Sequence, residues 1–277
     1  MMRIRLRDLF VWMLLLSAAA VQGRPLRLRA AVPAGEGFVA AGEVLAWLDA
    51  RGEVLRTRTL ATPLAALAER DGLLFAVDVR GREVLRLDAD GTVAERCDPG
   101  AKGRIRSLAG DGRVLFAVTD AGEILRSADA RTWIRQDFNA DYAGYYARMD
   151  FRAVAAGGGG VMVAGLDPDG RLALFTSSGG TVWSVREPDY RAQGRSLVLE
   201  TEPMSLSYDP LQDRFFLAGS GGVLLTLPGC AHCNRLDRFP TDTLYARISS
   251  GFSALLLGSG GFVCMENETY PNKNDEK

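Results

Sequence analysis

Short apolar runs recur along the chain, each set between polar positions and closed by a turn containing glycine or aspartate: "FVAA", "LLFAV", "VLFAV", "VMVAG", "FFLAG" and "ALLLG". Their spacing is roughly 35 to 55 residues, the range of sheet-building repeats. Around each run the same plan is found: an alternating segment, the apolar strand, a turn and a second strand. The six units are "RAAVPAGEGFVAAGEVLAWLDARGEVLRT", "AALAERDGLLFAVDVRGREVLRLDADGTVAER", "IRSLAGDGRVLFAVTDAGEILRSADARTWIRQ", "FRAVAAGGGGVMVAGLDPDGRLALFTSSGGTVWSV", "MSLSYDPLQDRFFLAGSGGVLLTLPG" and "ARISSGFSALLLGSGGFVCME". Turns such as "RDG", "GDG", "DAG", "PDG" and "SGG" supply positive-φ or side-chain-bonded positions, so each unit predicts an antiparallel meander of four short strands. Beyond the N-terminal stretch no long amphipathic helix is legible, which disfavours an α/β alternation.

A meander of this size cannot hide its own two faces. Packing such sheets against like neighbours around an axis covers both and leaves only short edges. The pattern therefore predicts an all-β fold, a β-propeller of about six four-stranded antiparallel blades, over residues 24–266. The last unit stops after its third strand, near "FVCME", and "PLRLRA" from the start of the mature chain is the strand expected to complete it and close the ring.

The ends read differently. Arg3, Arg5 and Arg7 precede "LFVWMLLLSAAAV", and Ala20 and Gly23 follow, the layout of an export signal over residues 1–23; an uncleaved anchor is the competing reading. The expected location is secreted or periplasmic, with no membrane span after signal cleavage, since the run is short of the roughly 20 residues that a spanning helix needs. Residues 267–277 read as a flexible tail; Asn267-Glu268-Thr269 in it is a glycosylation acceptor in a eukaryotic host. Of the 277 residues 47% are hydrophobic and 24% charged, and the net charge is -1. This balance argues against a nucleic-acid partner.

One stretch carries a resemblance. "AVTDAGEILRSADARTW" resembles the Asp-box, or bacterial neuraminidase repeat (Ser-x-Asp-x-Gly-x-Thr-Trp), of sialidase-like propellers and of propellers of the photosystem II assembly factor type. Ser127, Asp129, Thr132 and Trp133 match, with one residue fewer than the long form. "TSSGGTVW" is a second copy in which Trp183 matches and Ser178 or Gly179 stands where aspartate belongs. The resemblance implies a propeller, and a box on the face away from the active site. These residues are assigned a structural role: the carboxylate accepts turn N–H groups and the indole lies across a blade seam.

Candidate chemistry is sparse. His232 is the only histidine, so a Ser-His-Asp arrangement or a histidine metal site would have to use it. Cys230 and Cys233 have Cys-x-x-Cys spacing and form a disulfide candidate; a redox pair, or a zinc site with Cys264, are the alternatives. Haem attachment would need histidine after Cys233, where Asn234 stands. "AAGGGGVMVAG" is followed by no Lys-Ser/Thr and reads as a strand turn rather than a phosphate cradle. No cofactor and no metal is expected.

Two connections are longer than the repeat requires, "NADYAGYYARMD" and "REPDYRAQGRSLVLETEP". Long loops on a rigid scaffold gather binding residues. Tyr142, Tyr145, Tyr146, Arg148, Tyr190, Arg191 and Arg195 are of the types enriched in binding sites, or else pack over neighbouring blades. The favoured reading is an exported, non-enzymatic propeller that binds a protein or glycan through these loops. The alternatives are a sialidase-like glycan hydrolase, for which the arginine-isoleucine-proline element is missing, and an envelope thiol or redox factor.

Overall fold

A computed structural model describes residues 20–21, 24–136, 144, 147–186, 201–228, 235–238, 243–251, 253–259 and 261–266. Six antiparallel sheets follow one another along the chain as the blades of a six-bladed β-propeller. Blade 1 comprises Leu28–Ala34, Gly37–Gly42, Val44–Leu48 and Val54–Thr59; blade 2, Leu64–Arg70, Leu73–Asp78, Val84–Leu87 and Val93–Cys97. Blade 3 comprises Ile105–Gly110, Leu115–Thr119, Ile124–Ser127 and Ile134–Arg135; blade 4, Asp150–Gly157, Gly160–Leu166, Leu172–Ser178 and Ser184–Arg186. Blade 5 comprises Pro203–Asp209, Arg214–Gly219, Val223–Pro228 and Arg235–Arg238; blade 6, Leu244–Ser250, Ser253–Gly258 and Gly261–Glu266. The first strands of successive blades touch in order, and that of blade 6 touches that of blade 1, so the ring is closed. A short hairpin of Ala20–Val21 with Arg24–Pro25 precedes blade 1.

Closure differs from the expectation. Leu28, Arg29 and Ala30 of "PLRLRA" open the innermost strand of blade 1 instead of adding to blade 6, which has three strands among the described residues. The segment still joins the two ends, but through side chains. Leu26 and Leu28, 7% and 3% exposed, pack with Ala246, Ile248, Leu255 and Leu257 of blade 6.

The core is distributed among the seams. Every seam between adjacent blades holds its own apolar cluster, because alternate residues of a strand face opposite neighbours. In blade 2, for example, Leu67 packs towards blade 1, whereas Ala66 and Ala68 pack towards blade 3. The cluster between blades 5 and 6 is the smallest: Phe216, Ala218, Leu224, Leu244 and Leu256.

A second regularity lies in the innermost strands. In all six the pairing register slips after the first or second residue, leaving one extra residue: Arg29, Ala65, Arg106, Arg152, Met204 and Tyr245 in blades 1 to 6. Such a β-bulge bends the strand and sharpens its twist.

In blades 1, 2 and 3 the turn between the third and fourth strands is gripped by the preceding blade. Arg58 Nη1 of blade 1 donates to the carbonyl and carboxylate of Asp90 in the blade 2 turn, at 3.0 and 2.9 Å. Cys97 Sγ of blade 2 donates to the Arg131 carbonyl of the blade 3 turn at 3.2 Å, and Cys264 of blade 6 does the same to Ala50 of blade 1 at 3.1 Å. Gly91 shows why the turn needs glycine: its φ is +83°, and a Cβ there would run into Leu45 and Trp47 of blade 1. The glycine run of blade 4 has a similar cause, since Gly157 and Gly158 lie against the Tyr208 ring of blade 5.

Candidate functional site

Antiparallel strands in this order divide the turns between two faces. Connections between blades, and turns from second to third strand, emerge on one, the connection face. Turns from first to second and from third to fourth strand emerge on the other, the hairpin face.

The Ser127–Trp133 turn lies on the hairpin face. Asp129 Oδ1 accepts from the Arg131 and Thr132 backbone N–H groups at 2.8 and 2.6 Å and from Ser127 Oγ at 3.1 Å. Those bonds, the Thr132 amide first, hold its carboxyl well below the usual carboxylate range. Trp133 packs on the blade 2–blade 3 cluster and Trp183 on the blade 3–blade 4 cluster, so each indole spans the seam with the preceding blade. Gly179, with φ +82°, aligns with Asp129 in the second copy. Burial pushes the Cys97 thiol up, against an opposing contact from the Trp133 indole.

On the connection face the six bulge residues form a ring, because each opens an innermost strand and those strands touch in sequence. Arg29, Arg106 and Arg152 fall in the arc over blades 1 to 4; Met204 and Tyr245 complete it over blades 5 and 6. Carboxylates order the arginines. Arg106 Nη2 lies 3.5 Å from Asp120 Oδ2, which also takes Arg104 Nε at 3.0 Å. Burial pushes the Asp120 carboxyl up, but the bonds from Arg104 outweigh it and leave the group below its ordinary value. Arg152 donates to Asp150 at 2.8 Å and crosses to Glu202 of the next blade at 3.0 Å. Burial alone would lower its pKa; the two carboxylates raise it. The buried Glu123 ties down the connection into blade 3, with Oε2 accepting from the Lys102 and Gly103 amides at 2.8 and 3.1 Å and Oε1 pairing with Arg135 at 2.7 Å.

Of the residues nominated from the sequence, Arg148 is exposed in the turn before the innermost strand of blade 4. Tyr142, Tyr145, Tyr146, Tyr190, Arg191 and Arg195 lie outside the described residues, as do Cys230, Cys233 and His232. The innermost strands of blades 4 and 5, which these tyrosines and arginines precede in the sequence, start on the connection face. Cys97 and Cys264 stand on different blades. Among the described residues no group of three or more His, Cys, Asp or Glu could hold a metal ion, and no helix is long and apolar enough to cross a membrane. Sequence reasoning missed the bulge arginines. Each directly follows an apolar residue, in "LRA", "IRS" and "FRA", and reads there as ordinary strand alternation.

No protein-family model matches the chain, and no curated protein matches its sequence. Solved structures match its fold. Virginiamycin B lyase from Staphylococcus aureus is 11% identical, with a TM-score of 0.59 over 91% of this chain and 87% of that one. A streptogramin B lyase is 10% identical, with a TM-score of 0.57 over 86% and 78% of the two chains. The Cps50 (Swd1) β-propeller domain of Myceliophteria thermophila is 10% identical, with a TM-score of 0.56 over 89% and 98%. At these identities the likeness is one of fold, shared by a lyase and by a propeller domain of another kind.

Proposed function

We propose that this protein is an exported, non-enzymatic propeller that binds a protein or glycan partner on its connection face. The observation that carries this reading is the ring of six bulge positions, three of them arginine, on the face that receives the long connections after blades 3 and 4. Bulges re-aim side chains at sheet rims, and loops on a rigid scaffold supply recognition. The likeness of Ser127–Trp133 to an Asp-box supports the same side, because that turn braces the opposite face. Export is supported by the N-terminal arrangement of arginines and apolar residues. A hydrolase of the sialidase kind would need its arginines free to converge on one substrate carboxylate. Arg106 and Arg152 are instead held by Asp120, Asp150 and Glu202, which favours a binding surface.

A photo-crosslinking residue placed at Arg106 or at Arg131, in the protein expressed in its native host, tests the reading. Arg106 should give a discrete partner adduct and Arg131, on the hairpin face, none. Adducts from Arg131 alone, or turnover of a fluorogenic glycoside that Arg148→Ala abolishes, would replace the proposal.

A further inference from the structure

The entrances of the innermost strands share one register, so their residues can be compared place by place. The carbonyl two residues before the bulge accepts from the amide that follows the second strand: Arg27 from Glu43 in blade 1, Pro63 from Val79 in blade 2 and Arg104 from Asp120 in blade 3, at 3.4, 3.1 and 3.1 Å. Blade 3 shows what an arginine doublet holds at this place. Buried Ile105 separates Arg104 from Arg106, so strand alternation turns both guanidinium groups away from the seam. Both converge on the Asp120 carboxylate, Arg104 Nε at 3.0 Å and Arg106 Nη2 at 3.5 Å.

Blade 1 repeats the doublet without its counter-charge. Arg27 and Arg29 flank the buried Leu28 as Arg104 and Arg106 flank Ile105, and Glu43 stands in the place of Asp120. Asp120 is held in position by accepting from the Arg104 amide at 2.7 Å. Glu43 carries its carboxylate one methylene further out and makes no such bond among the described residues. Arg27, Arg29 and Glu43 are all exposed, and none of the three has an ion-pair partner among the described residues. In blade 2, beside them, the same three places hold Pro63, Ala65 and Val79, all uncharged, with Pro63 exposed and Val79 47% exposed.

Guanidinium groups set side by side match a carboxylate in charge and in hydrogen-bond geometry. We infer, resting on the connection-face binding proposed above, that the Arg27–Arg29 doublet receives an acidic side chain of a protein partner, whose apolar neighbour covers Pro63 and Val79 of blade 2. Two observations select a protein acid over an acidic glycan. The equivalent doublet of blade 3 is filled by an aspartate side chain, and the adjoining places of blade 2 are apolar, which suits a segment that mixes acidic and apolar residues. An unpaired arginine alone does not make such a site: Arg51 and Arg113 are also exposed and without an ion-pair partner among the described residues, but each stands singly in a turn on the hairpin face.

Fluorescence anisotropy with a labelled peptide of alternating aspartate and leucine tests the doublet. Arg27→Gln/Arg29→Gln should weaken binding about tenfold or more, the effect of losing a charge-assisted hydrogen bond, and Glu43→Gln should tighten it by removing the competing carboxylate. Arg51→Gln/Arg113→Gln removes the same charge from the hairpin face and should leave the affinity unchanged, since exposed charges that far away are screened. All these positions are exposed, so the variants should keep the Tm of the unsubstituted protein. Equal losses in the two double variants, or no binding of the peptide by the unsubstituted protein, would overturn the inference. Binding of oligogalacturonate through the doublet in place of the peptide would overturn it as well, in favour of an acidic sugar. The crosslink from Arg106 keeps the two readings apart: an adduct there with a failed peptide test leaves a binding face that does not use this doublet.

Discussion

Arg247→Leu should destabilise the protein by about 3–5 kcal/mol in urea unfolding, although leucine occupies the same register position in blades 2, 3 and 5. Hydrophobicity alone would predict a gain. The loss arises because Asp209, fully buried, is left without its guanidinium partner. Adding Asp209→Asn should recover most of it. Asparagine removes the stranded carboxyl group and retains an oxygen for the Leu211 and Gln212 amides, which Asp209 Oδ1 accepts at 2.9 and 3.3 Å. Unfolding of the single variant at the unsubstituted midpoint would mean that the pair is solvated and the seam open.

Leu28→Ala should cost about 2–5 kcal/mol, the range for a leucine cut from a packed core. Leu28 sits in the one seam that joins the two ends of the chain, and blade 6 supplies no fourth strand there among the described residues. A cavity at that place weakens closure of the whole ring, not one sheet. Leu55→Ala offers the comparison: that residue is 69% exposed on an outer strand, and its loss should stay within about 0.5 kcal/mol. Equal effects of the two substitutions would remove the argument for closure by side-chain packing.

The blades were legible because each carries its pattern locally. "LLFAVD" followed by a glycine turn and "VLRL" contains both the alternation and the turn chemistry of a hairpin, and each of the six quoted units falls within one of the six sheets, although the fifth ends before the strand Arg235–Arg238. Closure was not legible. "PLRLRA" has the alternation of a strand, but nothing local states whether its partner is "GFVAAG" or the end of the chain. The bulges were hidden for a related reason, since one extra residue in a period of two resembles an ordinary irregularity until six registers are laid side by side. Arg247 in "ARISS" reads as a solvent-facing strand residue; only its neighbour across the seam shows that it stands in a leucine's place. At the candidate site the sequence pointed to the long connections and the structure adds the ring of bulge residues at their base.

A single closed ring brings Arg29 of blade 1 beside Tyr245 of blade 6. With the native cysteines replaced by serine, Arg29→Cys and Tyr245→Cys should be joined within one chain by a short bis-maleimide, giving a circular product of altered mobility on a denaturing gel. The pair Arg29→Cys and Arg152→Cys, on opposite sides of the ring, should not. Crosslinking of the second pair without the first would contradict the closed six-bladed ring.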